Sequence, residues 1–292
     1  MTATSGRSTP SHEDLWAPRW RGEPGRLEVW YATFTDRDTG DGLWLHHEHV
    51  APSDGSTPRT DAWAAQFSAG APPRWSRTEN IELGREGSAG IAGELEWNLE
   101  WDATDQSPLY TFPRWAWERE VLPAAQIVPA PTLSAHGTVA GRPFSGPGNV
   151  ARIYGHGNAR RWAWLHADLG HGDVLELVAA VSTRPGLRAL PPITHLRARL
   201  GGVDWPPAVG PSFGLRARLD LPTWSVSGRI GRRAVRIAVT QPADQCVTID
   251  YHDPDGTTAT CINTERADVE IEVGERTWRL NGTGHAEVGR RP

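Results

Sequence analysis

IAGELEWNLEW (91–101) sets the fold class: Ile91, Gly93, Leu95, Trp97, Leu99 and Trp101 fall on one face, and Glu94, Glu96, Asn98 and Glu100 on the other. A period of two with one apolar and one polar face marks a half-buried antiparallel strand. Outward from it the pattern repeats. LEVWYATF (27–34), a turn at DRDTGDG, and LWLHHEHV (43–50) read as a strand pair, while DAWAAQFSA (61–69) fits a strand or a short helix. The Pro-broken region 107–131 reads as short extended pieces, followed by a strand and turn in LSAHGTVAG (133–141). RRWAWLHADL and DVLELVAAV flank Gly170-His171-Gly172 as a hairpin. After RPGLRALPP (184–192) come eight short strand signals, with turns at DPDG (253–256) and Asn281-Gly282. The expectation is an all-β chain of two antiparallel β-barrel units in tandem: a disordered tail over 1–13, a first barrel over 14–187 and a second over 188–292.

Composition limits the function classes. The chain has 292 residues, a formal charge of −5, and 30 basic residues that are all Arg and scattered along it. That distribution does not form a nucleic-acid footprint. No apolar run approaches the roughly 20 residues that span a bilayer. The polar N-terminus, MTATSGRSTPSHEDLW, has no apolar signal core, so a cytoplasmic location is expected. Phosphate-loop, Gly-x-Ser-x-Gly and Cys-x-x-Cys motifs are absent. Cys246 and Cys261 read as free thiols. Oligomeric state is left open. The chain carries 15 Trp against 5 Phe and 4 Tyr. Indoles suit pleated surfaces and apolar cavity walls, each with one N–H for a polar anchor.

Two segments carry candidate chemistry. In His46-His47-Glu48-His49 on a strand, His47 and His49 point one way and His46 and Glu48 the other. A His-x-His pair gives a metal two imidazoles, which makes His47 and His49 weak metal candidates beside the alternative of a polar strand face. The second segment, YGHGNARRWAWLHAD (154–168), is a glycine-flanked loop running into a strand. A two-residue loop at His171-Gly172 sets Trp164 opposite Ala179 and His166 opposite Leu177. Trp162, Trp164 and His166 then share a face with Leu175 and Leu177, with Glu176 on the other face. A histidine on such an apolar wall is a candidate for proton transfer near neutrality. Glu28, Glu48 and Asp168 are the nearby candidate acids. Trp97 and Trp101 on one strand face, and Trp162 and Trp164 on another, point to a lined cavity.

EVWY (28–31) and YGHGNARRWAWLHADLGHGDVLELV (154–178) resemble the opening and central motifs of the carotenoid 1,2-hydratase and AttH-like double-lipocalin family, with a more distant resemblance to tocopherol cyclases. The resemblance implies two lipocalin-like (calycin) barrels in tandem and chemistry on apolar molecules: hydration, cyclisation or isomerisation of an isoprenoid or polyketide-type substrate, with no cofactor. It also implies that Trp30, Tyr31, His156, Asn158, Arg161, Trp162 and Trp164 surround the cavity. In an enzyme of this kind His156 or His166 is expected to handle protons. Two features depart from the pattern. Val29 stands where the family has a second Trp. Arg160 and Arg161 stand where it has an acidic residue, which weighs against acid-catalysed hydration. The alternatives are a non-catalytic carrier of a small apolar ligand and a metal-dependent hydrolase using His47 and His49.

Overall fold

The decisive strand is shorter than its pattern. Gly93 takes a positive φ (+60°) and turns the chain, so 87–101 is a hairpin of β5 (Gly87–Ala92) and β6 (Leu95–Trp101). Strict alternation survives in β6, whereas Ile91, expected inside, is 61% exposed. A computed structural model describes residues 15–102, 106–121, 124–155 and 159–291.

The first sheet also contains β1 (Arg26–Thr35), β2 (Gly42–Ala51), β3 (Arg59–Phe67), β4 (Arg74–Thr78), β7 (Leu109–Tyr110), β8 (Ala124–Val139) and β9 (Arg142–Gly155). Its order is β4-β3-β2-β1-β9-β8-β6-β5, with β7 on β8, and every pairing is antiparallel. The edge strands β4 and β5 meet, which curls the sheet into a barrel. Ala32, Phe34, Leu45, Trp97, Leu99 and Trp101 fill its interior.

The second sheet contains β10 (Ala159–Gly170), β11 (Asp173–Ser182), β12 (Ile193–Leu200), β13 (Val203–Trp205), β14 (Leu215–Arg218), β15 (Thr223–Ile230), β16 (Arg233–Thr240), β17 (Val247–His252), β18 (Thr258–Val273) and β19 (Arg276–Arg290). Its order is β13-β12-β11-β10-β19-β18-β16-β15-β14, with β17 on β18. β12 approaches β14 to close it, and the Ser212 N–H donates to the Thr194 carbonyl (2.7 Å) between them.

Several expectations change. The sheets divide after Gly155, not at the Pro-rich passage 184–192, which connects β11 to β12 within the second sheet. Proline marks a loop there but carries no information about sheet membership, which β10 acquires by pairing with distant β19. Residues 61–67 are strand. Arg114–Arg119, expected extended, forms the short helix α1 after Pro113, with an Arg114–Glu118 pair (2.7 Å) across one turn. Asn281-Gly282, expected as a turn, lies inside β19 where its register against β18 shifts; the Gly282 N–H there donates to Asp268 (2.7 Å).

The hairpin β10–β11 carries the most consequential difference. Gly170 pairs with Asp173 as a two-residue loop requires, but Leu169 is bulged, so Asp168 meets Val174 and His166 meets Glu176. Trp162, Trp164 and His166 therefore share their face with Val174, Glu176 and Val178. Leu175, Leu177 and Ala179 join Ala163, Leu165 and Ala167 in the second barrel's interior. The Trp/His face looks out of its own barrel and onto the first sheet, where Trp164, Val174 and Val178 pack against Leu27, Val29, Tyr31 and Ala151.

Candidate functional site

Between the two sheets lies a cavity of about 380 Å³. Its first wall comes from β1 and β2: Val29, Tyr31, Trp44, His46 and Glu48. Facing it are Trp162 and Trp164 of β10, Tyr251 of β17 and Glu287 of β19. Arg184 and Leu187, both exposed, sit at the rim. Trp162 reaches its place because residue 289 is glycine. A Cβ there would fall 1.9 Å from the indole ring.

Two carboxyl groups stand in this mostly apolar wall. Glu48 is buried, and burial pushes its carboxyl up to about 8. His46 Nε2 lies 3.3 Å from it. That imidazole is itself held well below its ordinary range by burial, flat on Trp63 at 3.9 Å, so it brings no positive charge to its neighbour. Glu287 is also raised by burial. Trp162 Nε1–H (2.5 Å), Cys261 Sγ (3.3 Å) and the Tyr251 hydroxyl (3.4 Å) donate to it.

A third group lies deeper in the seam. Glu176 accepts from Trp164 Nε1 (2.5 Å) and Gln126 Nε2 (2.9 Å), and His166 Nδ1 lies 2.8 Å from its other oxygen. Gln126 also donates to the Tyr31 hydroxyl. Behind His166, Asn149 touches the same ring nitrogen (2.5 Å), and the ring lies 5.6 Å from that of His285. His285 in turn contacts Thr33, Thr35 and Glu265.

The sequence-chosen residues scatter around this geometry. Tyr31, Trp162 and Trp164 line the cavity. His166 is fully buried behind Glu176 and is not among the lining residues. Trp30 points to the opposite face of β1, with its ring 5.4 Å from that of His47 and the Arg152 guanidinium 4.8 Å away. His47 and His49 share that other face, and His49 packs on Trp20 at 4.4 Å. Among the described residues no group of three His, Cys, Asp or Glu side chains is placed to hold a metal. Trp97 and Trp101, expected at the cavity, fill the first barrel instead; alternation marked a buried face without saying which space it faces. Arg161 is exposed at the edge, bonded to the Leu219 carbonyl (2.7 Å) and Asp220 (3.2 Å). His156 and Asn158 lie outside the described residues. Cys246 and Cys261 are free. Glu287, Gln126, Glu176 and Tyr251 were not legible as site residues. Glu176 alone carries a signal, as the one charged residue within the apolar run VLELVAAV.

Two antiparallel, barrel-like sheets in tandem with a mostly apolar cavity between them form a double-lipocalin architecture. The family model for tocopherol cyclase-like proteins matches residues 94–289, and the chain belongs to that family. It is similar to "Uncharacterized protein Rv0493c" of Mycobacterium tuberculosis H37Rv, with 48% identity covering 94% of this chain and 89% of the relative. Among solved structures, CghA with Sch210972 superposes with a TM-score of 0.58 at 12% identity, covering 90% of this chain and 87% of that one. An AttH-like protein (NE1406) from Nitrosomonas europaea gives 0.57 at 14%, covering 91% and 93%. Kievitone hydratase from Nectria haematococca gives 0.53 at 11%, covering 89% and 88%. These structures share the fold with this chain. Among the described residues no helix is long and apolar enough to cross a membrane.

Proposed function

We propose that the protein is a cofactor-independent enzyme that hydrates, cyclises or isomerises an apolar isoprenoid or polyketide-type molecule held between its barrels. The observation that carries this reading is the position of Glu48, a buried carboxylic acid on the wall of a mostly apolar cavity. A carboxyl raised to about 8 keeps its proton at neutral pH and can give it to a double bond or a carbonyl. The resulting carboxylate then takes a proton back from the attacking water, or from a substrate carbon if the product is an isomer or a ring. The faces of Trp162 and Trp164 stabilise positive charge that develops on the substrate. Glu287 is the second acid. His166 acts through Glu176 as a positioning residue. One fold neighbour, kievitone hydratase, is named for a hydration, which supports the reading.

The test incubates the purified protein in D₂O with linear isoprenoids, prenylated phenols and conjugated polyketide-type polyenes. Mass spectrometry then looks for water addition, deuterium uptake or an isomer of equal mass. Glu48→Gln should lower turnover at least about a hundredfold while leaving ligand affinity within a few-fold. Ligand binding with no turnover in the unmodified protein would establish the carrier instead.

A further inference from the structure

The orientation of one side-chain amide fixes where a tyrosine proton points. Trp164 Nε1 can only donate, and it donates to Oε1 of Glu176 (2.5 Å). The same oxygen meets the side chain of Gln126 at 2.9 Å. An amide oxygen there would set two acceptors against each other, so Gln126 presents its NH₂ group. The Thr111 hydroxyl donates to the Gln126 backbone carbonyl (2.9 Å) and tethers the residue that carries this amide.

An NH₂ group has two hydrogens and no acceptor capacity at nitrogen. One hydrogen goes to Glu176 and the other to the hydroxyl oxygen of Tyr31. Tyr31 is therefore an acceptor toward Gln126, and its own O–H hydrogen has to be directed elsewhere. Among the described residues no acceptor receives it. Tyr31 and Gln126 both line the cavity, with the Tyr31 ring set edge-on to Trp164 at 5.4 Å.

From this geometry we infer that Tyr31 is a preset hydrogen-bond donor for a carbonyl oxygen on the substrate, and that Gln126 and Glu176 are the residues that aim it. The inference rests on the cavity being the ligand site. It narrows the ligand to an apolar molecule bearing a ketone, enone or quinone oxygen. The donor does not ionise on meeting that oxygen, because burial and the nearby Glu176 raise the phenol well above its ordinary range. It therefore polarises the carbonyl while the proton that is transferred comes from Glu48 or Glu287.

Benzophenone and diphenylmethane test this, since they match in shape and differ by the carbonyl. Calorimetry on the full chain should show benzophenone binding about tenfold more tightly, as expected for one buried donor left unpaired by the hydrocarbon. The preference should vanish in Tyr31→Phe. Carbon-13-labelled benzophenone should show its carbonyl stretch moved to lower frequency in the unmodified protein and restored in Tyr31→Phe. Equal affinity of the two probes for the unmodified protein, or an unmoved carbonyl band, overturns the donor and leaves the cavity reading standing. If neither probe binds, the cavity reading fails and the donor with it.

Discussion

Two pairs of tryptophans, Trp97 and Trp101 on β6 and Trp162 and Trp164 on β10, occupy strands of similar pattern and meet opposite environments. The first pair is sealed in the first barrel, and its indole N–H groups go to the Ser88 hydroxyl and the Arg85 carbonyl, both at 3.0 Å. The second pair faces the seam between the barrels, and its N–H groups go to the carboxyls of Glu287 and Glu176, both at 2.5 Å. Indoles that bond neutral local groups are filling space. Indoles that bond carboxyls are holding titratable groups, Glu287 on the cavity wall and Glu176 behind it. The difference separates indoles that fill a barrel from indoles that organise the seam between the barrels.

The largest effect should follow substitution in the sealed pair. Trp97→Ala removes an almost fully buried ring and is expected to destabilise the fold by about 3–5 kcal/mol, read by denaturant unfolding. Trp162→Ala, which enlarges an existing cavity, should cost clearly less. Equal losses would erase the distinction between the two pairs.

The next effect sharpens the carboxyl side of the comparison. Glu48 titrates near 4.5 in an unfolded chain and near about 8 in the fold, so the native state keeps a proton that the unfolded chain releases. Its contribution to stability is fully present below pH 4.5, falls as pH rises toward 8, and is flat above that. Thermal melting between pH 5 and 9 should therefore show a decline that Glu48→Gln, neutral throughout, removes. Identical slopes in both proteins would mean that Glu48 is solvated. The smallest effect belongs to Arg161, outside both environments. Its pair with Asp220 is exposed, and Arg161→Ala should change stability by about 0.5 kcal/mol or less and leave probe binding unaltered.

The β-barrel class was legible because alternation over Leu95–Trp101 and its neighbours is a local, one-dimensional signal. The site was less legible because three of its determinants are not local. Sheet membership of β10 depends on β19, more than a hundred residues away in the chain. The inward or outward sense of a buried face depends on which sheet lies opposite, as the fates of Trp97 and Trp162 show. The company of Glu176 depends on the bulge at Leu169, which the two-residue loop at His171-Gly172 does not announce. Tyr31, placed around a cavity by the family resemblance, and Trp162 and Trp164, placed there by the resemblance and the strand pattern alike, do line the cavity. Glu48 was one of several equal carboxylates until the cavity singled it out.

The bulge at Leu169 also bears on how such a site can be rearranged. Were Leu169 drawn into the ladder opposite Val174, the rest of β10 would slip by one residue against β11, Glu176 would leave the face of Trp164 and His166, and Gln126, Trp164 and His166 would lose their shared anchor together. Three contacts would be lost in one step that alters no side chain at the cavity. Within this architecture a one-residue register slip at a hairpin tip acts on every polar contact of a strand face at once, where a point substitution acts on one.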